Sequence, residues 1–199
     1  MLNKYINNKY LKDKNLKLEF YKNKPFPHLV LNNFFNIKFI EKVAKELRKE
    51  KFIHQESDLF SFAQTKDISL TKNKIIKEFY GFINSREFKE YLYKITGIKA
   101  YNKIDASGFI YSSTDYLLPH DDKLETRKIA YVLNLSKGFT KKDGGSLDFF
   151  KKNQISKSIT PSFNTLTIFK VKVNKTFHQV SEVITKKERF SIAGWFNDK

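Results

Sequence analysis

At 199 residues the chain can bury one sizeable core and is too short for two ordinary ones, so a single domain over 1–199 is expected. Its 40% apolar and 16% aromatic content, with seven glycines and four prolines, is that of a globular protein. The lack of cysteine excludes disulfides, thiol nucleophiles and iron–sulfur clusters, while a formal charge of +17 raises nucleic acid as a partner.

The charge is scattered rather than patterned. Lysines occur mostly singly or in pairs, and only four arginines are present (Arg48, Arg86, Arg127 and Arg189), whereas specific readers of phosphates and bases use arginine forks. Nucleic acid is therefore not the favoured partner. The N-terminal segment MLNKYINNKYLKDKNLKLEF is charged throughout and has no signal-peptide core, and no apolar run is long enough to span a bilayer. A soluble cytoplasmic protein is expected.

In chain order, residues 26 to 35 (FPHLVLNNFF) read as a short strand entering a turn. Behind Asn36, a candidate N-cap, Ile37, Ile40, Val43, Ala44 and Leu47 recur at helical spacing. Residues 52 to 70 (FIHQESDLFSFAQTKDISL) have no clean period. The spacing of Ile75, Ile76, Phe79, Phe82 and Ile83, then Phe88, Tyr91, Leu92 and Ile95, predicts two consecutive helices ending before Gly97. Residues 1–100 thus read as mostly helical support. From about residue 101 the texture changes to short β-branched and aromatic runs (KIDASGFIYSS, RKIAYVLNLS, GSLDFF, NTLTIFKVKV, FHQVSEVI, RFSIAGWF) divided by turn signals. Without intervening helices these runs predict an antiparallel sandwich or jelly roll, giving an α+β chain with a mainly β core over 101–199.

Only four histidines occur, His28, His54, His120 and His178. His120 opens a His-Asp-Asp triplet at the foot of a strand-like run, where residues i and i+2 share a face, so His120 and Asp122 can converge on one ion. A facial triad of two histidines and one carboxylate holds iron(II) and leaves the opposite side open; His178, at the start of a later strand, is the candidate second histidine. A His-x-Asp pair alone is a weak signal, since acidic residues are common near any histidine. Arg189, on the next run, adds to it: a buried arginine is costly unless it grips a carboxylate, and its planar fork suits that role. Asp121 should be solvent-facing or behind the site rather than a ligand. Gly144 and Gly145 read as a tight turn, and Trp195 and Phe196 as core.

His120-x-Asp122, His178 and Arg189, set within LLPHDD, DGGSLDFF, SFNTLTIFKV, FHQVSEV and RFSIAGWF, resemble the prolyl-hydroxylase-like iron(II)/2-oxoglutarate oxygenases, most closely the catalytic domain of the Ofd1/Tpa1 group. The resemblance covers most of the chain. It implies a double-stranded β-helix flanked by N-terminal helices and an Fe(2+) site with 2-oxoglutarate and O2 as cosubstrates, ascorbate being a candidate reductant. It also implies that Tyr111 assists Arg189 in holding the far carboxylate of 2-oxoglutarate. Segment 55 to 70 is similar to the group's substrate-side region and is the candidate lid, with Asp58 and Gln64 as candidate contacts to a peptide backbone. Larger members carry a second, degenerate domain after the catalytic one. The implied target is a prolyl residue in a protein or peptide. A free amino acid or other small metabolite is the alternative, and a non-catalytic basic binding module the third reading, disfavoured because the ligand residues are intact.

Overall fold

Strand β11 (Arg189–Asn197) organises the molecule, because its alternate side chains serve two different interiors. Phe190, Ile192 and Phe196 point to a helical layer, whereas Arg189, Ser191, Ala193 and Trp195 line a cavity on the other side. The computed structural model describes residues 2–122, 124 and 126–198.

Three short helices open the chain: α1 (Leu2–Tyr5), α2 (Asn8–Lys12) and α3 (Leu16–Lys22). In α3 the buried pair Leu16 and Phe20 stands one turn apart, and the remaining residues of the helix are exposed. After β1 (His28–Asn32) comes α4 (Ile37–Leu47), started where the Asn36 side chain accepts from the Lys38 and Phe39 amides. α5 (Lys74–Ile83) and α6 (Arg86–Thr96) follow the expected periodicity, and Gly97 ends α6 at φ 69°, its amide donating to Tyr93 O. Among the described residues no helix is long and apolar enough to cross a membrane.

The remaining strands are β2 (Phe52–Ser57), β3 (Phe60–Thr65), β4 (Asp105–Tyr111), β5 (Tyr116–His120), β6 (Arg127–Asn134), β7 (Leu147–Lys151), β8 (Gln154–Ile159), β9 (Thr165–Lys170) and β10 (His178–Val180). All pair antiparallel in the order β1-β9-β6-β11-β4-β3-β5-β10-β7-β8, with β2 added to β3. The sheet curls at β3, whose Ala63 and Gln64 pair with β4 while Phe60 and Ser61 pair with β5. This places β5-β10-β7-β8 opposite β1-β9-β6-β11-β4, the expected double-stranded β-helix, or jelly roll.

The helices pack on the outer face of the larger layer. Ile129, Tyr131 and Leu133 of β6, Leu166 and Ile168 of β9, and Phe190, Ile192 and Phe196 of β11 form one cluster with Phe20, Phe79, Phe82 and Phe88. Each such aromatic ring, taken wholly out of water, stabilises the fold by about 1.5–3 kcal/mol before entropic costs.

The first hundred residues are more than helical support. β1 was expected, but β2 and β3 also join the sheet, as a hairpin within the stretch that lacks a period. The reason is burial: β2 is exposed along all but its first residue, and β3 is covered on both faces, so neither develops the apolar–polar alternation of a half-buried strand.

Candidate metal and 2-oxo acid site

His120 ends β5 and His178 begins β10, and the two are partners in the ladder between those strands. Their rings lie 4.2 Å apart. Asp122 reaches both from two residues past His120, its Oδ1 3.6 Å from His120 Nε2 and its Oδ2 3.4 Å from His178 Nε2. One ligand atom from each residue falls within 4.8 Å of the other two. The convergence does not come from the period of an extended strand. Asp122 has left it, with φ at 58° in the left-handed region, an uncommon conformation for a residue with a side chain.

Both imidazoles are oriented from behind. His120 Nδ1 lies 2.9 Å from Leu118 O, and His178 Nδ1 lies 2.9 Å from Thr176 O. A carbonyl can only accept, so each Nδ1 carries the proton and each Nε2 offers its lone pair toward Asp122. Burial holds His178 down at about 4, and the neighbouring His120 adds to the effect; Asp122 opposes it. The ring is therefore neutral at physiological pH, the form a metal requires. The edge of the His178 ring packs against Phe169, 4.7 Å between centroids.

The cavity that these groups face measures about 300 Å3 and runs between the two layers. Arg189 lies in its wall and is paired in register with Tyr111 across β11 and β4. The arginine is 2% exposed, its Cζ 4.9 Å from the centre of the Tyr111 ring. Among the described residues its one hydrogen bond is a long contact from Nη1 to Ser191 Oγ, at 3.4 Å, Nε is buried without a partner, and no carboxylate lies within 4.0 Å. Burial pushes the guanidinium pKa down and, against the pull of Arg189, pushes Tyr111 up to about 12. The tyrosine is thus a hydroxyl donor at neutral pH. A buried cation with orphaned donors in the wall of a cavity calls for an anion. Two imidazoles, one carboxylate and this unpaired fork fit a divalent metal and a dicarboxylate together.

The sequence reading passed over Arg127. Its guanidinium lies flat on Trp195, 3.4 Å from the ring centre, and 3.8 Å from Asp122 Oδ1. Burial lowers its pKa, with Asp122 and Asp105 opposing. The one signal for it in the sequence was that it is one of only four arginines and lies five residues after Asp122. Trp195 itself is half-buried: it packs against the core cluster that includes Phe149 and Phe169 and also lines the cavity, while Phe196, on the other face, is core.

The two residues expected to contact substrate separate. Gln64 on β3 lines the cavity, whereas Asp58 sits in the exposed turn of the β2–β3 hairpin, away from it. Segment 55 to 70 is that hairpin rather than a loop lid. It is tied at β3, where the Ser61 hydroxyl donates to Asp115, a buried carboxylate that also accepts from the Ser112 amide at 2.8 Å. Asp121 is 5% exposed, so of its two expected places it takes the one behind the site. Gly144 and Gly145 both have positive φ, and a Cβ on Gly144 would stand 1.9 Å from Glu182 O; the turn is needed to close on the segment after β10.

Residues 106–197 match the model of the 2OG-Fe(II) oxygenase superfamily. Over 181 residues the chain is 38% identical to a prolyl 3-hydroxylase, OGFOD1, of Xenopus laevis, an alignment covering 87% of this chain and 35% of that protein. The chain thus spans about a third of the length of the curated relatives it matches. Its fold is similar to that of a Pseudomonas putida prolyl-4-hydroxylase, with TM-score 0.75 at 16% identity, over 93% of this chain and 100% of the other. It is likewise similar to a Trichoplax adhaerens prolyl hydroxylase solved with a hypoxia inducible factor peptide fragment, with TM-score 0.72 at 14% identity, over 96% of this chain and 91% of the other.

Proposed function

The chain belongs to the 2OG-Fe(II) oxygenases, and from that premise we propose that it hydroxylates prolyl residues in a protein or peptide, with His120, Asp122 and His178 as the iron ligands. Iron(II), 2-oxoglutarate and dioxygen supply the oxidising chemistry: the 2-oxo acid is decarboxylated to succinate and carbon dioxide as one oxygen atom enters a C–H bond. The protein supplies orientation and a dry wall. Arg189 is the anchor for the far carboxylate of 2-oxoglutarate, and the Tyr111 hydroxyl donates to the same group. The observation that carries this reading is the buried Arg189 fork, unpaired among the described residues, on the same cavity as the three ligand atoms.

Phe109, Phe169 and Leu147 give the cavity apolar walls, and the Arg127–Trp195 stack lines it beside Asp122. The prolyl target is supported by the relatives, which are named prolyl hydroxylases.

The test is incubation with iron(II), 2-oxoglutarate and air together with a panel of proline-containing peptides and, separately, free proline. Mass spectrometry should find one oxygen atom added to a prolyl residue, dependent on 2-oxoglutarate. Oxygen insertion into free proline but into none of the peptides would overturn the peptidyl target.

A further inference from the structure

We propose that Asp121 is a positioning residue for the metal site, clamping the turn that orients His178 to the strand end that carries His120 and Asp122. The proposal rests on reading those three residues as the metal ligands.

The ladder between β5 and β10 stops at the His120–His178 pair. Beyond that pair both chains leave the extended conformation, Asp122 at φ 58° and Asn174 at φ 59°. The turn before His178 is anchored at its ends to other strands, where the Val171 amide donates to Lys128 O and Phe177 O accepts from the Phe150 amide, but no ladder bond joins it to the strand end after His120. Among the described residues, the one hydrogen bond between them runs from the Asn174 amide to Asp121 Oδ2, at 2.5 Å. A buried carboxylate accepting a backbone amide is a short, strong and directional tie.

The turn so held moves as a unit. The Lys175 and Thr176 amides donate to Lys172 O at 3.0 and 3.2 Å. The Lys172 amide donates back to Thr176 Oγ1 at 3.0 Å. Thr176 O, at the end of the turn, accepts the Nδ1 proton of His178 at 2.9 Å and so sets both the tautomer and the direction of the ring. Releasing Asp121 therefore removes the tie that sets this turn, and the carbonyl that aims His178, against the strand end carrying His120 and Asp122. His120 is insulated, because its own Nδ1 bonds to Leu118 O within β5. The clamp thus serves one of the two imidazoles.

Asp121 is 5% exposed, and among the described residues no cation pairs with it. Burying such a charge has a cost that a solvent-facing residue between two ligands would avoid.

The test measures Mn(II) affinity by calorimetry and the Co(II) absorption spectrum in the full chain, alongside apoprotein melting. Wild type should bind one Mn(II), and His120→Ala should not; failure of this comparison would sink the ligand assignment itself, separately from the clamp. Asp121→Ala is expected to weaken Mn(II) binding by about tenfold or more and to shift the Co(II) spectrum. Asp121→Asn, whose amide oxygen still accepts from Asn174, should recover most of the affinity. Thr176→Val, which opens the turn without touching Asp121, should weaken binding as Asp121→Ala does, with both apoproteins melting near wild type. The clamp is overturned if Asp121→Ala binds within about twofold of wild type. It is equally overturned if the asparagine variant is as weak as the alanine one, or if affinity is lost only in step with apoprotein stability.

Discussion

The two faces of β11 obey different rules. Toward the helices, Phe190, Ile192 and Phe196 are at most 2% exposed and enter a cluster made almost entirely of aromatic and aliphatic side chains. Toward the cavity, Arg189 and Trp195 leave polar atoms unused: Arg189 Nε and Trp195 Nε1 are buried without partners among the described residues. The outer face is filled to stabilise; the inner face is left open for a ligand to complete. One strand of nine residues thus carries both the packing that makes the fold and the donors that give it chemistry.

That contrast predicts where substitutions will be felt. Phe196→Ala, which empties a site between Phe88 and Tyr131, should cost about 3–5 kcal/mol in denaturant unfolding. Ala193→Leu, one side chain projecting into the cavity, should leave the melting temperature unchanged or higher while lowering 2-oxoglutarate turnover; a large loss of stability would mean that the inner face is packed after all. Arg189→Met should weaken 2-oxoglutarate binding by about 3 kcal/mol, roughly a hundredfold, because a charge-paired contact is lost. Its stability should hold or rise, since an uncompensated buried charge is removed.

A smaller effect belongs to pH. Burial holds His28 down at about 4 against the raising contact to Phe26 O, below its ordinary value of 6.5. The folded protein therefore binds fewer protons than the unfolded chain between those values. Stability is unaffected by this group above pH 6.5, falls as pH drops from 6.5 to 4, and is flat below, a loss of at most about 3 kcal/mol. His178, also held at about 4, adds to the same window in metal-free protein. His28→Phe should flatten the slope in urea titrations across that range. The smallest effect is expected at the surface, where Arg48→Gln breaks an exposed pair with Glu188 at 2.8 Å and should cost less than about 1 kcal/mol.

The histidines and Arg189 could be found in the sequence because they are scarce there: four of each residue type makes any placement informative. Strands β4, β6, β9 and β11 were readable from their β-branched and aromatic runs, and α4, α5 and α6 from their periodicity. α1 to α3 were not, being too short and too heavily charged for a period to develop. β8, an exposed edge strand of polar character, gave no apolar run to detect. Arg127 was hidden for another reason: its place on Trp195 depends on the strand pairing of β6 with β11, which brings residues 68 apart in sequence into contact. The left-handed turn at Asp122 is a tertiary outcome as well, since nothing in a His-Asp-Asp triplet marks it.

The most direct measurement of the central claim is succinate formation from 2-oxoglutarate by iron(II)-loaded protein in air, comparing wild type, His120→Ala and Arg189→Met. The account predicts slow turnover by wild type even without a prime substrate, none by His120→Ala, and in Arg189→Met a loss at low 2-oxoglutarate that is largely restored at high concentration. Equal succinate from wild type and His120→Ala, or none from wild type that holds its iron, would contradict it.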